Sequence, residues 1–213
     1  MTVQAVIWDF GGVFTTSPFD AFNRYEHERG LPRDIIRKIN SVNPDTNAWA
    51  RIERSDVDAA TFDQLFANEA KAIGFDIRGA DVLALLSGDL RPRVVEAFKA
   101  CKARFKVGCI TNNAPTGKGA GMSASGDKAT AIAEVFSLFD HVIESSKAGV
   151  RKPDPRIYRM MCDAIGVAPE HCVYLDDLGI NLKPARQMGM MTIKVTSEDQ
   201  LLADLSNAVG LKF

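Results

Sequence analysis

The stretch VQAVIWDFGGV, residues 3–13, decides how the rest of the chain is read. Its first part is mostly apolar, β-branched or aromatic; then come a carboxylate, Asp9, and two glycines, Gly11 and Gly12. A short apolar run stopped by a glycine turn is the pattern of a strand buried on both faces. Asp9 then stands near the carboxyl end of a strand over 3–10, and the glycines let backbone approach a ligand closely. Taken alone, the same residues also describe a strand-to-turn junction with a turn-forming Asp.

Outward from this strand, apolar runs at 105–111, 141–144, 172–176 and 190–195 predict four more. Helical patterns at 92–104, 128–136, 154–165, 178–188 and 198–209 alternate with them. Short apolar strands separated by amphipathic helices predict an α/β chain, a doubly wound parallel sheet covered on both faces. Residues 18–87 differ: helical patterns at 19–29, 33–42, 61–73 and 80–86 come without a convincing strand. They predict a small helical cap inserted after the first strand, over the strand ends where open α/β sheets bind ligands. The alternative is a helical insertion with no part in binding. The expected division is a core of 1–17 and 88–213 and a cap of 18–87.

Composition excludes several classes. The 213 residues are 46% hydrophobic and 25% charged, with net charge -1 from 26 basic and 27 acidic side chains. No basic excess exists for a nucleic-acid backbone, and no polybasic or amphipathic basic helix for a membrane surface. No apolar run approaches the ~20 residues of a membrane span. The first ten residues read as a strand and not a signal peptide, so a cytoplasmic location is expected. Cys101, Cys109, Cys162 and Cys172 form no C-x-x-C pair and have half-apolar flanks, which reads as core, not a zinc site or a disulfide framework. The segment APTGKGAGMSASG, 114–126, reads as a loop. Its Gly117-Lys118-Gly119 is not a nucleotide-binding loop, because Gly follows the Lys where Ser or Thr is required.

Four clusters sit where apolar strands end. Asp9 and its glycines are the first. Thr111-Asn112-Asn113 offers a hydroxyl and two amides to an oxyanion, though such residues also cap and turn the chain. Lys152, just before a helix, adds positive charge where the helix dipole is already positive, which suits an anion; a solvated turn lysine is the alternative. Asp176-Asp177 is an adjacent acidic pair whose charges repel unless a cation is present, and an oxygen-only donor set suits Mg²⁺. Together they describe one chemistry. Asp9, Asp176 and Asp177 hold Mg²⁺, Thr111, Asn112 and Lys152 hold a phosphoryl group, and Asp9 attacks phosphorus.

This ordered set resembles the haloacid dehalogenase superfamily over nearly the whole chain. Within it, FDHVIESSKAGVRKPDPRIY (139–158) and VYLDDLGINLKPARQMGMMTI (173–193) are similar to the N-terminal phosphatase domain of soluble epoxide hydrolase and the N-terminal domain of acyl-CoA dehydrogenase family member 10. The resemblance implies a Rossmann-like core with a helical cap and a magnesium-dependent phosphatase acting on a small phosphorylated metabolite. It implies Asp9 as nucleophile, Thr111 and Asn112 on phosphate, and Lys152 stabilising it. Asp177 is implied as the direct metal ligand of the acidic pair, with Asp176 and Asn181 in the outer shell and the Gly11 carbonyl as a further ligand.

One position departs from the pattern. Relatives carry a second Asp two residues after the nucleophile as general acid and base; here it is Gly11. The group can come from the cap, as His27 or Glu28, from water, or from the substrate. Three readings follow: a phosphomonoester hydrolase, a phosphate- or metabolite-binding member with weak or no catalysis, and an Asp-nucleophile hydrolase acting at carbon.

Overall fold

The computed structural model describes residues 2–114 and 126–213; the Gly117-Lys118-Gly119 segment lies outside them. The sheet is built from β1 (Ala5–Trp8), β2 (Lys106–Thr111), β3 (His141–Glu144), β4 (Cys172–Asp176) and β5 (Met191–Lys194). All pairings are parallel, in the order β3-β2-β1-β4-β5. The first strand is therefore central. The chain fills one side of it with β2 and β3 and the other with β4 and β5, so the connections diverge at the carboxyl end of β1, the place where open α/β sheets bind ligands.

Both faces of the sheet are buried, as the unbroken apolar strands require. Along β1 the side chains alternate. Val6 and Trp8 pack with Val94 and Phe98 of α6 (Pro92–Lys102), Ile132 of α7 (Gly126–Ser137) and Leu201 of α11 (Glu198–Val209). Ala5 and Ile7 pack with Ile157 and Met161 of α9 (Pro155–Ile165) and Leu182 of α10 (Gly179–Gln187) on the other face. All four cysteines are free and buried.

Between β1 and α6 run α1 (Pro18–Glu28), α2 (Ile35–Ser41), α3 (Ala48–Glu53), α4 (Ala59–Ala72) and α5 (Gly79–Ala84). They enclose an apolar cluster of their own that includes Phe22, Ile36, Ile52, Phe62, Phe66 and Val82. Ser17 and Pro18 start α1 as a side-chain cap and a first-turn proline. Two antiparallel segments join this insertion to the sheet: Thr15 bridges Leu90, and the Arg91 N–H donates to the Phe14 carbonyl at 2.8 Å. The four-residue α8 (Ser145–Ala148) follows β3. No helix among the described residues is long and apolar enough to cross a membrane.

Candidate active site

The sheet's parallel register brings three carboxylates together. The Asp9 N–H donates to the Leu175 carbonyl at 2.8 Å, extending the β1–β4 ladder one residue past β1. Asp9 thereby lies beside Asp176, the last residue of β4, and Asp177 follows it. One oxygen from each of Asp9, Asp176 and Asp177 lies within 4.8 Å of the others.

The carboxylates are not equivalent. Asp176 is fully buried and saturated: it accepts from Tyr174 Oη at 2.5 Å, Lys152 Nζ at 2.8 Å, the Leu178 N–H at 2.8 Å and Asn181 Nδ2 at 3.0 Å. Asp9 Oδ1 accepts from Lys152 Nζ at 2.7 Å and from the Phe10 N–H at 2.7 Å, leaving Oδ2 without a hydrogen bond among the described residues. Asp177 has no side-chain partner among them. Burial, then the Asp176 charge, pushes its carboxyl up to about 7. Burial also raises Asp9 well above the carboxylate range; Lys152 opposes this, while Asp176 and Asp177 add to it.

Lys152 is 1% exposed. Burial works against its charge, but Asp176 and Asp9 outweigh that and hold the ammonium protonated. Burial and the neighbouring Asp176 charge raise Tyr174, so its hydroxyl remains a donor. Tyr158 Oη donates to the Asn181 carbonyl at 2.6 Å, steadying the residue that grips Asp176.

Thr111 ends β2 beside this group, buried, with its hydroxyl unengaged among the described residues. The Asn112 side chain does something else: Oδ1 accepts from the Lys152 N–H at 2.9 Å, and Nδ2 donates to the Lys152 carbonyl at 3.0 Å. Its amide grips the lysine's backbone, so the side chain is not free for an oxyanion. Gly11 and Gly12 form the turn after Asp9. Gly12 is left-handed, φ +73°, whereas Gly11 is not, and a β-carbon built on Gly11 would meet no heavy atom within 4 Å. Arg91 Nη1 donates to the Gly12 carbonyl at 3.0 Å and fixes the turn from the returning segment.

His27 and Glu28 are exposed on α1. The insertion's carboxylate that meets this network is Glu53, 7% exposed, whose Oε2 lies 2.5 Å from Arg151 Nε and 3.3 Å from Asn112 Nδ2. Tyr174 was within reach of sequence reasoning, since it precedes Asp176 by two on a strand and shares its face. Glu53 carries no such signal.

The description of haloacid dehalogenase-like hydrolases as a family fits residues 3–189. The chain belongs to the haloacid dehalogenase-like hydrolase family. Among curated relatives, this hydrolase is 29% identical over 229 residues to bifunctional epoxide hydrolase 2 of Mus musculus, covering 100% of this chain and 40% of that one. Acyl-CoA dehydrogenase family member 10 of Mus musculus is 27% identical, covering 97% of this chain and 19% of its own. The chain thus spans less than half the length of these relatives. Phosphatase MT3486 of Mycobacterium tuberculosis matches at 27% identity over 97% of this chain and 95% of its own. Among solved structures, a haloacid dehalogenase family enzyme of Bacteroides thetaiotaomicron, in complex with magnesium and inorganic phosphate, superposes with TM-score 0.61 at 15% identity, covering 92% of this hydrolase and 96% of that chain. That likeness bears on the fold.

Proposed function

We propose that this hydrolase is a magnesium-dependent phosphomonoester hydrolase of a small phosphorylated metabolite, working through an aspartyl-phosphate on Asp9. The observation that carries the reading is the grouping of three carboxylates within 4.8 Å, with Lys152 the one cation ion-paired to them among the described residues. Like charges so close need a cation, and an all-oxygen donor set with no Cys or His fits Mg²⁺. Asp9, Asp177 and the Gly11 carbonyl would hold it, with Asp176 and Asn181 behind them. It would supply charge neutralisation at the transferred phosphoryl group. The name of Phosphatase MT3486, which this chain matches over almost its full length, supports the same reading.

Asp9 Oδ2 is the nucleophile, since Oδ1 is held by Lys152 and the Phe10 N–H. Attack on phosphorus forms the acyl phosphate and expels the ester oxygen; water then attacks the same phosphorus and frees Asp9. Lys152, held charged, stabilises the equatorial oxygens, joined by the Thr111 hydroxyl, which is unengaged among the described residues. The insertion serves as a cap over the strand ends. Gly11 leaves the departing oxygen without a side-chain acid, which favours slow turnover, and a binding role with little catalysis is the second reading.

The test is phosphate release from a panel of phosphate esters with millimolar Mg²⁺ and with EDTA. Release that requires Mg²⁺ supports the proposal; release unaffected by EDTA, or none from any ester, removes it.

A further inference from the structure

We infer that Glu53 is a positioning residue: from the end of α3 it holds the two residues that bracket Lys152, so the ammonium's place depends on the insertion being docked. The inference rests on the reading of Lys152 as the phosphoryl-stabilising cation.

Glu53 lies on the last turn of a short helix in the insertion, yet it is buried against the core. Oε1 accepts from Trp49 Nε1 at 2.9 Å, which fixes the side chain within its own helix. Oε2 reaches across to Asn112 Nδ2 and Arg151 Nε. Asn112 is the clasp on the N–H and carbonyl of Lys152, and Arg151 is the lysine's neighbour in the chain. Two more contacts dock the insertion at the same place: Arg151 Nη1 donates to the Pro44 carbonyl at 2.9 Å, and Ser55 Oγ to the Ser146 carbonyl at 2.6 Å. The docking surface therefore converges on the peptide that carries Lys152.

A buried carboxyl from the insertion also invites the role of the general acid missing at Gly11. The contacts argue against it. Both Glu53 oxygens are engaged, Oε1 by Trp49 Nε1 and Oε2 by Asn112 Nδ2 with the Arg151 guanidinium beside it; burial raises the carboxyl, and Arg151 and Trp49 oppose that rise. None of these partners is Asp9, Asp177 or the Lys152 ammonium, so Glu53 stands behind the reacting centre and not at it. It does fix geometry, and an error of about 1 Å in a charged group at a reacting centre can cost on the order of 100-fold in rate.

The test uses the full chain in Mg²⁺ with an aryl phosphate as substrate. Glu53→Ala is expected to lower kcat roughly 10- to 100-fold and to raise KM, because the displaced ammonium also loses contact with the bound ester. Glu53→Gln, which still accepts one hydrogen bond, is expected to recover part of that. Asn112→Ala added to Glu53→Ala is expected to cost little more, because the clasp is already loose. Calorimetric affinity for inorganic phosphate in Mg²⁺ is expected to weaken in both Glu53 variants, a readout that needs no turnover. If Glu53→Ala does not fold, Glu53→Gln decides on the same criteria. Folded variants with wild-type kcat and phosphate affinity, or losses that multiply in the double variant, overturn the inference alone. A wild-type chain that neither hydrolyses esters nor binds phosphate overturns the functional reading, and the inference with it.

Discussion

The carboxylate of Asp177 occupies the space that a β-carbon on Gly12 would need. The turn after β1 and the loop after β4 thus interlock at one glycine, which is also left-handed and fixed by Arg91. Gly12→Ala forces Asp177 away from Asp9 and is expected to reduce turnover by about two orders of magnitude. Gly30→Ala is the control. Gly30 is also left-handed, φ +63°, but a β-carbon there meets nothing within 4 Å. Both variants carry a backbone cost of about 1–2 kcal/mol, read from thermal melts, but Gly30→Ala is expected to keep wild-type kcat. Equal kinetic losses in the two would disconnect Asp177 from the effect.

Metal and pH are expected to act in opposite directions. Without metal, folding raises the Asp177 carboxyl from 3.8 to about 7, so the folded state binds the proton more tightly than the unfolded one. That contribution to stability is fully present below the unfolded value and is lost as pH rises through about 7. In EDTA, the melting temperature should therefore fall from pH 5.5 to 8 more steeply for wild type than for Asp177→Asn. Millimolar Mg²⁺ competes with the proton, so its stabilisation should grow over the same range and shrink in the variant. Parallel pH curves for the two proteins in EDTA would be the contrary result.

Lys152→Met removes the ammonium from between Asp9 and Asp176, leaving buried carboxylates without their partner. Breaking a buried ion pair from one side typically costs about 3–5 kcal/mol. Urea denaturation in EDTA at neutral pH should show a loss of that order. Lowering the pH should recover part of it, because Asp9, already raised by burial, then protonates. A loss below roughly 1 kcal/mol, the scale of an exposed pair, would mean that Lys152 is not the internal counter-charge.

Much of this was legible in the residues. The strands end just before Asp9 and at Thr111 and Asp176 because apolar runs with glycine or acidic stops leave few alternatives, and the parallel order follows from the helices between them. The two missed helices, α3 and α8, have six and four residues, too few for a helical period to stand out. The contacts of Glu53 with Arg151 and Asn112 were invisible for a different reason: they join distant segments through charge and an amide, which leave no periodic trace. Thr111 and Asn112 looked alike as oxyanion donors. Only the packing distinguishes a hydroxyl without a partner among the described residues from an amide already closed on Lys152.

Asp9→Asn keeps the shape and one oxygen but removes the nucleophile. Phosphate release should be abolished. The fold should persist, because Asp176 still pairs with Lys152 and one member of a repelling carboxylate group is gone. The melting temperature in EDTA is expected to be no lower than wild type at pH 7.5. Retention of most activity by a folded variant would rule out the covalent route.

Gly11 is where this hydrolase departs from the pattern it otherwise follows, and the structure makes the departure testable. A leaving oxygen with no acid beside it departs as an anion or draws its proton from water. Aryl oxyanions are the more stable, so the native rate should fall steeply as the leaving group's pKa rises. Gly11→Asp is sterically open: a β-carbon there has no neighbour within 4 Å, and the backbone is not left-handed. The new carboxyl should raise turnover of alkyl phosphates more than of aryl ones. The ceiling is the roughly 10²–10⁴-fold that a positioned acid contributes, and the dependence on leaving-group pKa should flatten. Rates for a series of esters on both proteins decide the matter. A native enzyme with fast alkyl turnover and a flat dependence would mean that another group already protonates the leaving oxygen. In that case Gly11→Asp should change nothing.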